Sequence, residues 1–294
     1  MTELRQGPLT IYEDLRLKNS TLLVAWNGDL GEVGPRTARA LVHQFGCRRF
    51  AEIDPVQFFQ LSGVTVEGGV ARFPESTFYV CDPLSVAVLI SDVPSWEWND
   101  FLGAVLDVAQ QWLHVRRILT LGGVASSSAH THPRQILYVA NSPEIARDMD
   151  RYNMMGVDNE TQQGQRPTMS SYLLWMAQKR GIPAASLWEG VPFYLLSHDD
   201  PRALSVITHR LSEILGVAVD TADWDGRADE IDRSFATARA SQTDLDEYLG
   251  KLENNVGLTQ EDTEKLVQEV KKVLQRASGT RFLPSGAADH SNSP

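Results

Sequence analysis

Residues 21–35 read TLLVAWNGDLGEVGP. Thr21 to Trp26 is a continuous apolar run, the length of a strand buried on both faces. A glycine-rich loop follows, Asn27-Gly28-Asp29-Leu30-Gly31-Glu32-Val33-Gly34. Pro35 suits the first turn of a helix, where its missing N–H has no partner to lose. Ala38, Leu41, Val42 and Phe45 then share one helical face, and Gly46 can end the helix. Arg49 to Ile53 reads as a second strand. Strand, glycine loop, helix, strand is the opening of an α/β layer.

Moving outward, the same grammar repeats. Val64–Val66 and Val70–Phe73 flank Glu67-Gly68-Gly69 as a hairpin would. Val86 to Ile90 is another buried-strand candidate, and Trp98 to Leu113 carries the apolar spacing of an amphipathic helix. Ile118 to Leu121 reads as a strand running into Gly122-Gly123, and Ile136 to Ala140 as another. Ser142-Pro143 opens a short helix by capping logic. Met155 to Pro167 is polar and glycine-rich and reads as a loop. Thr168 to Arg180 reads as a helix stopped by Gly181 and Pro183. Ala184–Trp188 and Phe193–Leu196 are short strand candidates, and a helix over Ala203 to Leu215 ends at Gly216. The fold expected is α/β, a central mixed sheet covered by helices on both faces.

The character changes after residue 219. From Asp220 to Arg276 there are fourteen Asp and Glu against eight Lys and Arg, and no strand pattern survives. Leu245, Leu249, Leu252 and Val256 keep helical spacing, as do Leu266, Val270, Val273 and Leu274. Thr259 with Asp262 fits a capping box. Such one-striped helices bury the stripe on their own core or on a partner. The organisation expected is an α/β domain over 1–219, an acidic helical extension over 220–277 and a small, polar, disordered tail over 278–294.

The chain has 294 residues, 42% of them hydrophobic, and a formal net charge of −11. Its densest basic runs are the pairs Arg48-Arg49 and Arg116-Arg117, so neither nucleic acid nor an anionic membrane is an expected partner. Met1 to Pro8 has no apolar core to act as a signal peptide, and no apolar run approaches the roughly 20 residues that span a bilayer. A cytoplasmic location is expected, with Cys47 and Cys81 as free thiols.

Three places could carry chemistry. The loop from Asn27 to Gly34 can present backbone N–H groups to an anion, but its spacing is neither G-x-G-x-x-G nor a P-loop. Asp29 and Glu32 put negative charge where a phosphate would sit, which favours a structural turn. Gly122-Gly123 reads either as a tight turn needing positive φ or as a second backbone wall of one crevice shared with Gly28, Gly31 and Gly34. His130 and His132 could share a metal on an extended segment, but no acid or Cys nearby completes a set. A pocket-lining or oligomer-contact loop is the better reading. No G-x-S-x-G elbow occurs, and no cofactor or metal is expected. Trp96, Trp98, Trp112, Trp175 and Trp188 read as core, with Trp96 the most exposed.

The ordered segments Trp26 to Gly34, Phe50 to Pro55, Ile118 to Gly123, His130 to Pro133, Arg180 to Tyr194 and Asp200 to Ala203 together resemble the proteasome-assembly-chaperone-2 family, in its bacterial, actinobacterial type. The resemblance spans about Leu22 to Asp220. It implies a phosphorylase/hydrolase-like α/β fold, self-association, and a chaperone or scaffold role near proteasome-like assemblies. It brings no catalytic residue. Some members dock on proteasome rings through a hydrophobic-Tyr-any terminus; this chain ends Ser291-Asn292-Ser293-Pro294. The function expected is a homo-oligomeric assembly-chaperone-like or scaffold protein, with a possible protein partner on the helical extension. The alternative is a small-molecule enzyme of nucleoside phosphorylase or hydrolase type, with its site at the C-terminal strand ends.

Overall fold

The computed structural model describes residues 4–15, 17–60, 65–158 and 167–278. Its centre is a ten-stranded mixed sheet. The strands are β1 (Leu4–Gln6), β2 (Leu9–Ile11), β3 (Ser20–Trp26), β4 (Arg48–Ile53), β7 (Ser76–Cys81), β8 (Val86–Ser91), β9 (Val115–Ser126), β10 (Ile136–Ala140), β11 (Met155–Gly156) and β12 (Ala184–Pro192). A separate hairpin pairs β5 (Thr65–Glu67) with β6 (Val70–Arg72). The sheet order is β1-β2-β4-β7-β8-β3-β9-β12-β10-β11. β8, β3, β9 and β12 run parallel, and the pairings from β8 outward to β1 are antiparallel. β10 runs antiparallel to β12.

The central strand shows why both faces are covered. Every residue of β3 is buried. Leu23 and Ala25 face one core with α1 (Val33–Gln44), α3 (Pro143–Asp150) and α5 (Pro201–Leu215). Leu22 and Val24 face the other, with α2 (Trp98–Gln111) and α4 (Met169–Lys179). The expected α/β fold, a mixed sheet with helices on both faces, is the one observed.

Caps set several helix ends. Thr168 accepts from the Ser171 N–H at 3.1 Å and Asp200 from the Ala203 N–H at 3.2 Å. Gly216 closes α5 with φ of 69°. Ser142 makes no side-chain cap on α3, so Pro143 alone marks that start.

The acidic segment forms α6 (Ala222–Arg239), α7 (Thr243–Glu253) and α8 (Gln260–Ser278). Phe235, Leu245, Leu249, Leu266, Val270 and Leu274 join the same apolar cluster as Leu23 and Ala25 of the sheet. The stripe is therefore spent on the chain's own core, and the charged sides face outward. The Asp262 N–H donates to Thr259 Oγ1 at 3.1 Å, one half of the expected capping box. Val256 lies past the end of α7 and is 51% exposed.

Three local expectations are corrected. Gly122 and Gly123 are not a turn: β9 runs straight through them, and neither has positive φ. Phe193–Leu195 is a single 3-10 turn, because β12 is one continuous strand to Pro192. Cys47 and Cys81 are not free thiols but a disulfide. They fall opposite each other one step beyond the antiparallel pair Arg48–Val80, with Cα atoms 4.5 Å apart. Beyond Ser278, the expected disordered tail lies outside the described residues, as does the 159–166 part of the expected loop.

Candidate functional site

The parallel strands β3, β9 and β12 all end at one rim of the sheet, so the loops that follow them converge there. Asp29, on the first loop, decides what this rim is. Its carboxylate accepts from the Gly34 N–H at 2.9 Å and from the Gly123 N–H at 2.9 and 3.0 Å. An α/β protein with an open crevice would offer such amides to a bound anion. Here the chain's own carboxylate takes them.

The glycines make that closure possible. A Cβ on Gly34 would sit 2.2 Å from the Leu121 carbonyl oxygen, and one on Gly123 would sit 2.2 Å from that of Leu30. Both residues are glycine because the loop lies directly on the β9 backbone. A Cβ on Gly122 would meet Asp29 Oδ1 at 3.0 Å. Gly28 and Gly31 supply the positive-φ turns of the loop. Asn27 stands at its edge and accepts from Arg39 Nη2 at 2.6 Å. Burial pushes the Asp29 carboxyl up to about 6, against the lowering effect of the amides of Gly34, Gly123 and Leu30.

His130 and His132 reach the same rim but part company. The His130 ring lies 4.3 Å from the Phe235 ring, centroid to centroid, and its Nδ1 is 2.8 Å from Tyr194 Oη. Its backbone N–H also donates to that hydroxyl, at 2.6 Å. Burial pulls His130 down to about 4, so the ring is neutral near pH 7. His132 Nε2 is 2.9 Å from the Glu253 carbonyl oxygen of α7, and Thr131 Oγ1 donates to a Glu253 carboxylate oxygen at 2.9 Å. The two imidazoles thus face different elements, and among the described residues no cluster of three metal-ligating side chains occurs. α6 and α7 lie over the rim and hold its second loop.

Sequence reasoning missed the buried charges beneath that loop. Arg134 is 8% exposed; it donates to the Gly190 carbonyl and to Asp200 Oδ2, the latter at 2.8 Å. It thereby ties β12 to the N-terminus of α5. Glu189 on β12 is fully buried, 3.9 Å from Arg134, and neither carboxylate oxygen has a hydrogen-bond partner. Desolvation pushes Glu189 up to about 8, with Arg134 opposing and Asp200 adding to the shift. One signal was legible: Glu189 is the lone charge in the strand AASLWEGVP. The cavity among His130, Arg134, Asp200 and Asp232 measures about 10 Å³, room for at most one water.

Residues 22–238 match the model of the PAC2 family, about three quarters of the chain. The chain belongs to the PAC2 family. No curated protein sequence matches it. Among solved structures, it is similar to a proteasome-assembly chaperone homologue from Mycobacterium tuberculosis, at 23% identity and a TM-score of 0.64 over 78% of this chain and 99% of that one. It is similar to PbaB, an archaeal proteasome activator from Pyrococcus furiosus, at 19% identity and a TM-score of 0.62 over 79% and 98%. A Corynebacterium glutamicum protein of unknown function matches at 16% identity and a TM-score of 0.67, over 94% of this PAC2 chain and 100% of its own. That coverage leaves out too little to omit α6 to α8, so this relative shares the helical segment.

Proposed function

We propose that this PAC2 protein is a homo-oligomeric, assembly-chaperone-like scaffold of the cytoplasm and not a small-molecule enzyme. The observation that carries the reading is Asp29: the amides that would greet a substrate anion are taken by the chain's own carboxylate. Family membership and the likeness to a proteasome-assembly chaperone homologue and a proteasome activator support it. A partner would meet the charged outer sides of α6 to α8, since their apolar stripes are buried. The acidic bias of this segment favours a basic protein surface, and no helix among the described residues is long and apolar enough to cross a membrane.

Light scattering coupled to size exclusion tests self-association. A defined oligomer with closed symmetry is expected at micromolar concentration, and a strict monomer there would refute the scaffold reading. A thermal-shift screen of nucleosides and phosphate tests the enzyme alternative. A filled rim gives no shift; a shift lost in an Asn27 or His132 variant would restore the enzyme.

A further inference from the structure

Beside the rim loop, a cavity of about 390 Å³ opens between α1 and the β7–β8 part of the sheet. That is the size of a small-ligand site. Its walls are Arg39, Val42, His43 and Gly46 from α1 and its end, Cys47, and Glu75, Tyr79 and Ile90 from the sheet side. Arg39 and His43 stand four residues apart on one helical face, so both side chains address the same space. Asn27 Oδ1 holds Arg39 from behind at 2.6 Å. Glu75 supplies the one carboxylate of the lining.

The disulfide sits at this cavity asymmetrically. Cys47 lines it and is half-buried; Cys81 is 2% exposed and belongs to the apolar core under α1. The Cys47 N–H donates to the Val42 carbonyl at 2.9 Å, which fixes the residue at the helix end. Of the two cysteines only Cys47 thus reaches the cavity, where the Arg39 guanidinium favours an approaching thiolate.

We propose that this cavity binds an extended peptide thiol of the glutathione type, whose amino-acid end, with its carboxylate and ammonium, lies several bonds from the sulfur, and that Cys47 exchanges its disulfide with it. The carboxylate meets Arg39 and His43, and the ammonium meets Glu75. The thiolate sulfur forms a bond to Cys47 Sγ while the Cys47–Cys81 bond breaks, and the electron pair leaves on Cys81 Sγ. The proton given up by the incoming thiol ends on Cys81, whose apolar surroundings favour the neutral form. The products are a mixed disulfide at Cys47 and a free thiol at Cys81; the incoming thiol is the reductant, its sulfur rising to the disulfide level as Cys81 is reduced. The proposal is independent of the scaffold reading, since it needs neither a partner nor an oligomer.

The test takes full-length protein isolated without reductant and follows adducts by intact-mass and peptide mass spectrometry. Reduced glutathione is compared with 2-mercaptoethanol, which has neither charged group. The glutathione adduct is expected on Cys47. Arg39→Ala and Glu75→Gln should each lower the ratio of glutathione to mercaptoethanol rates by about three- to fivefold, the scale of one exposed ion pair. Unchanged ratios overturn the recognition, and an adduct on Cys81 overturns the geometry. Two free thiols that resist mild oxidation overturn the proposal as a whole. Both variants alter exposed residues, so loss of fold does not confuse the result.

Discussion

Single residues explain most of what the rim does. Asp29 replaces an external anion, and removing it leaves the amides of Gly34 and Gly123 buried without acceptors. Asp29→Ala should therefore cost about 3 kcal/mol of stability, read from urea denaturation midpoints. Glu189 makes a different prediction. Burial raises its carboxyl from the ordinary 4.5 to about 8, so between those values the folded chain holds a proton that the unfolded chain has released. The stabilisation is complete below about pH 4.5 and is lost as pH rises to 8, at about 1.4 kcal/mol per unit from this group alone. Glu189→Gln keeps the shape and cannot ionise. Denaturation at pH 5 and pH 8.5 should show the variant gaining stability relative to the parent at the higher value. An equal pH response in both proteins would remove Glu189 as the source. The sequence named Asp29 as the obstacle to phosphate binding but could not show what its carboxylate contacts, because Gly123 is 94 residues away.

At the level of elements, local chemistry was legible wherever a periodic pattern met a stop signal. Trp98 to Gln111, Ile136 to Ala140 and Pro201 to Leu215 stand where spacing and caps put them. The failures share a cause. Gly122-Gly123 and the split of β12 were read as breaks, yet both lie within strands whose neighbours dictate an extended backbone. Pairing across the sheet overrode the local signal. The disulfide escaped for the same reason: Cys47 and Cys81 are 34 residues apart and meet only through the β4–β7 register. Trp175 failed in the other direction. It reads as core by spacing but is 45% exposed, stacked on Tyr172 at 5.4 Å with Lys179 Nζ 3.7 Å from its ring centre. The cap of α8 gives an element-scale test. Thr259→Ala removes the acceptor for the Asp262 N–H and should cost about 1 kcal/mol, visible as a lower thermal midpoint. Thr259→Ser keeps the oxygen and should cost less.

For the molecule as a whole, the question is which surface the proposed self-association uses. The net charge of −11 opposes close approach of copies through the acidic sides of α6 to α8. The outer side of α2 and α4 offers the opposite chemistry. Trp98, Tyr172 and Trp175 form a continuous aromatic series there, with ring centroids 6.3 and 5.4 Å apart. Trp175 is the exposed end of this series, with Trp98 and Tyr172 partly buried beneath it, and exposed aromatics are what interfaces are enriched in. If this face joins the copies, Trp175→Asp places a charge at the contact and should shift the light-scattering mass toward the monomer at the same concentration. The fold itself should survive, because Trp175 is nearly half in solvent, and circular dichroism would confirm it. Raising ionic strength should act in the opposite sense, screening the repulsion between acidic copies and favouring assembly. A folded Trp175→Asp protein of unchanged mass would assign self-association to another face, and the acidic helices would then need salt-dependent cross-linking to exclude them.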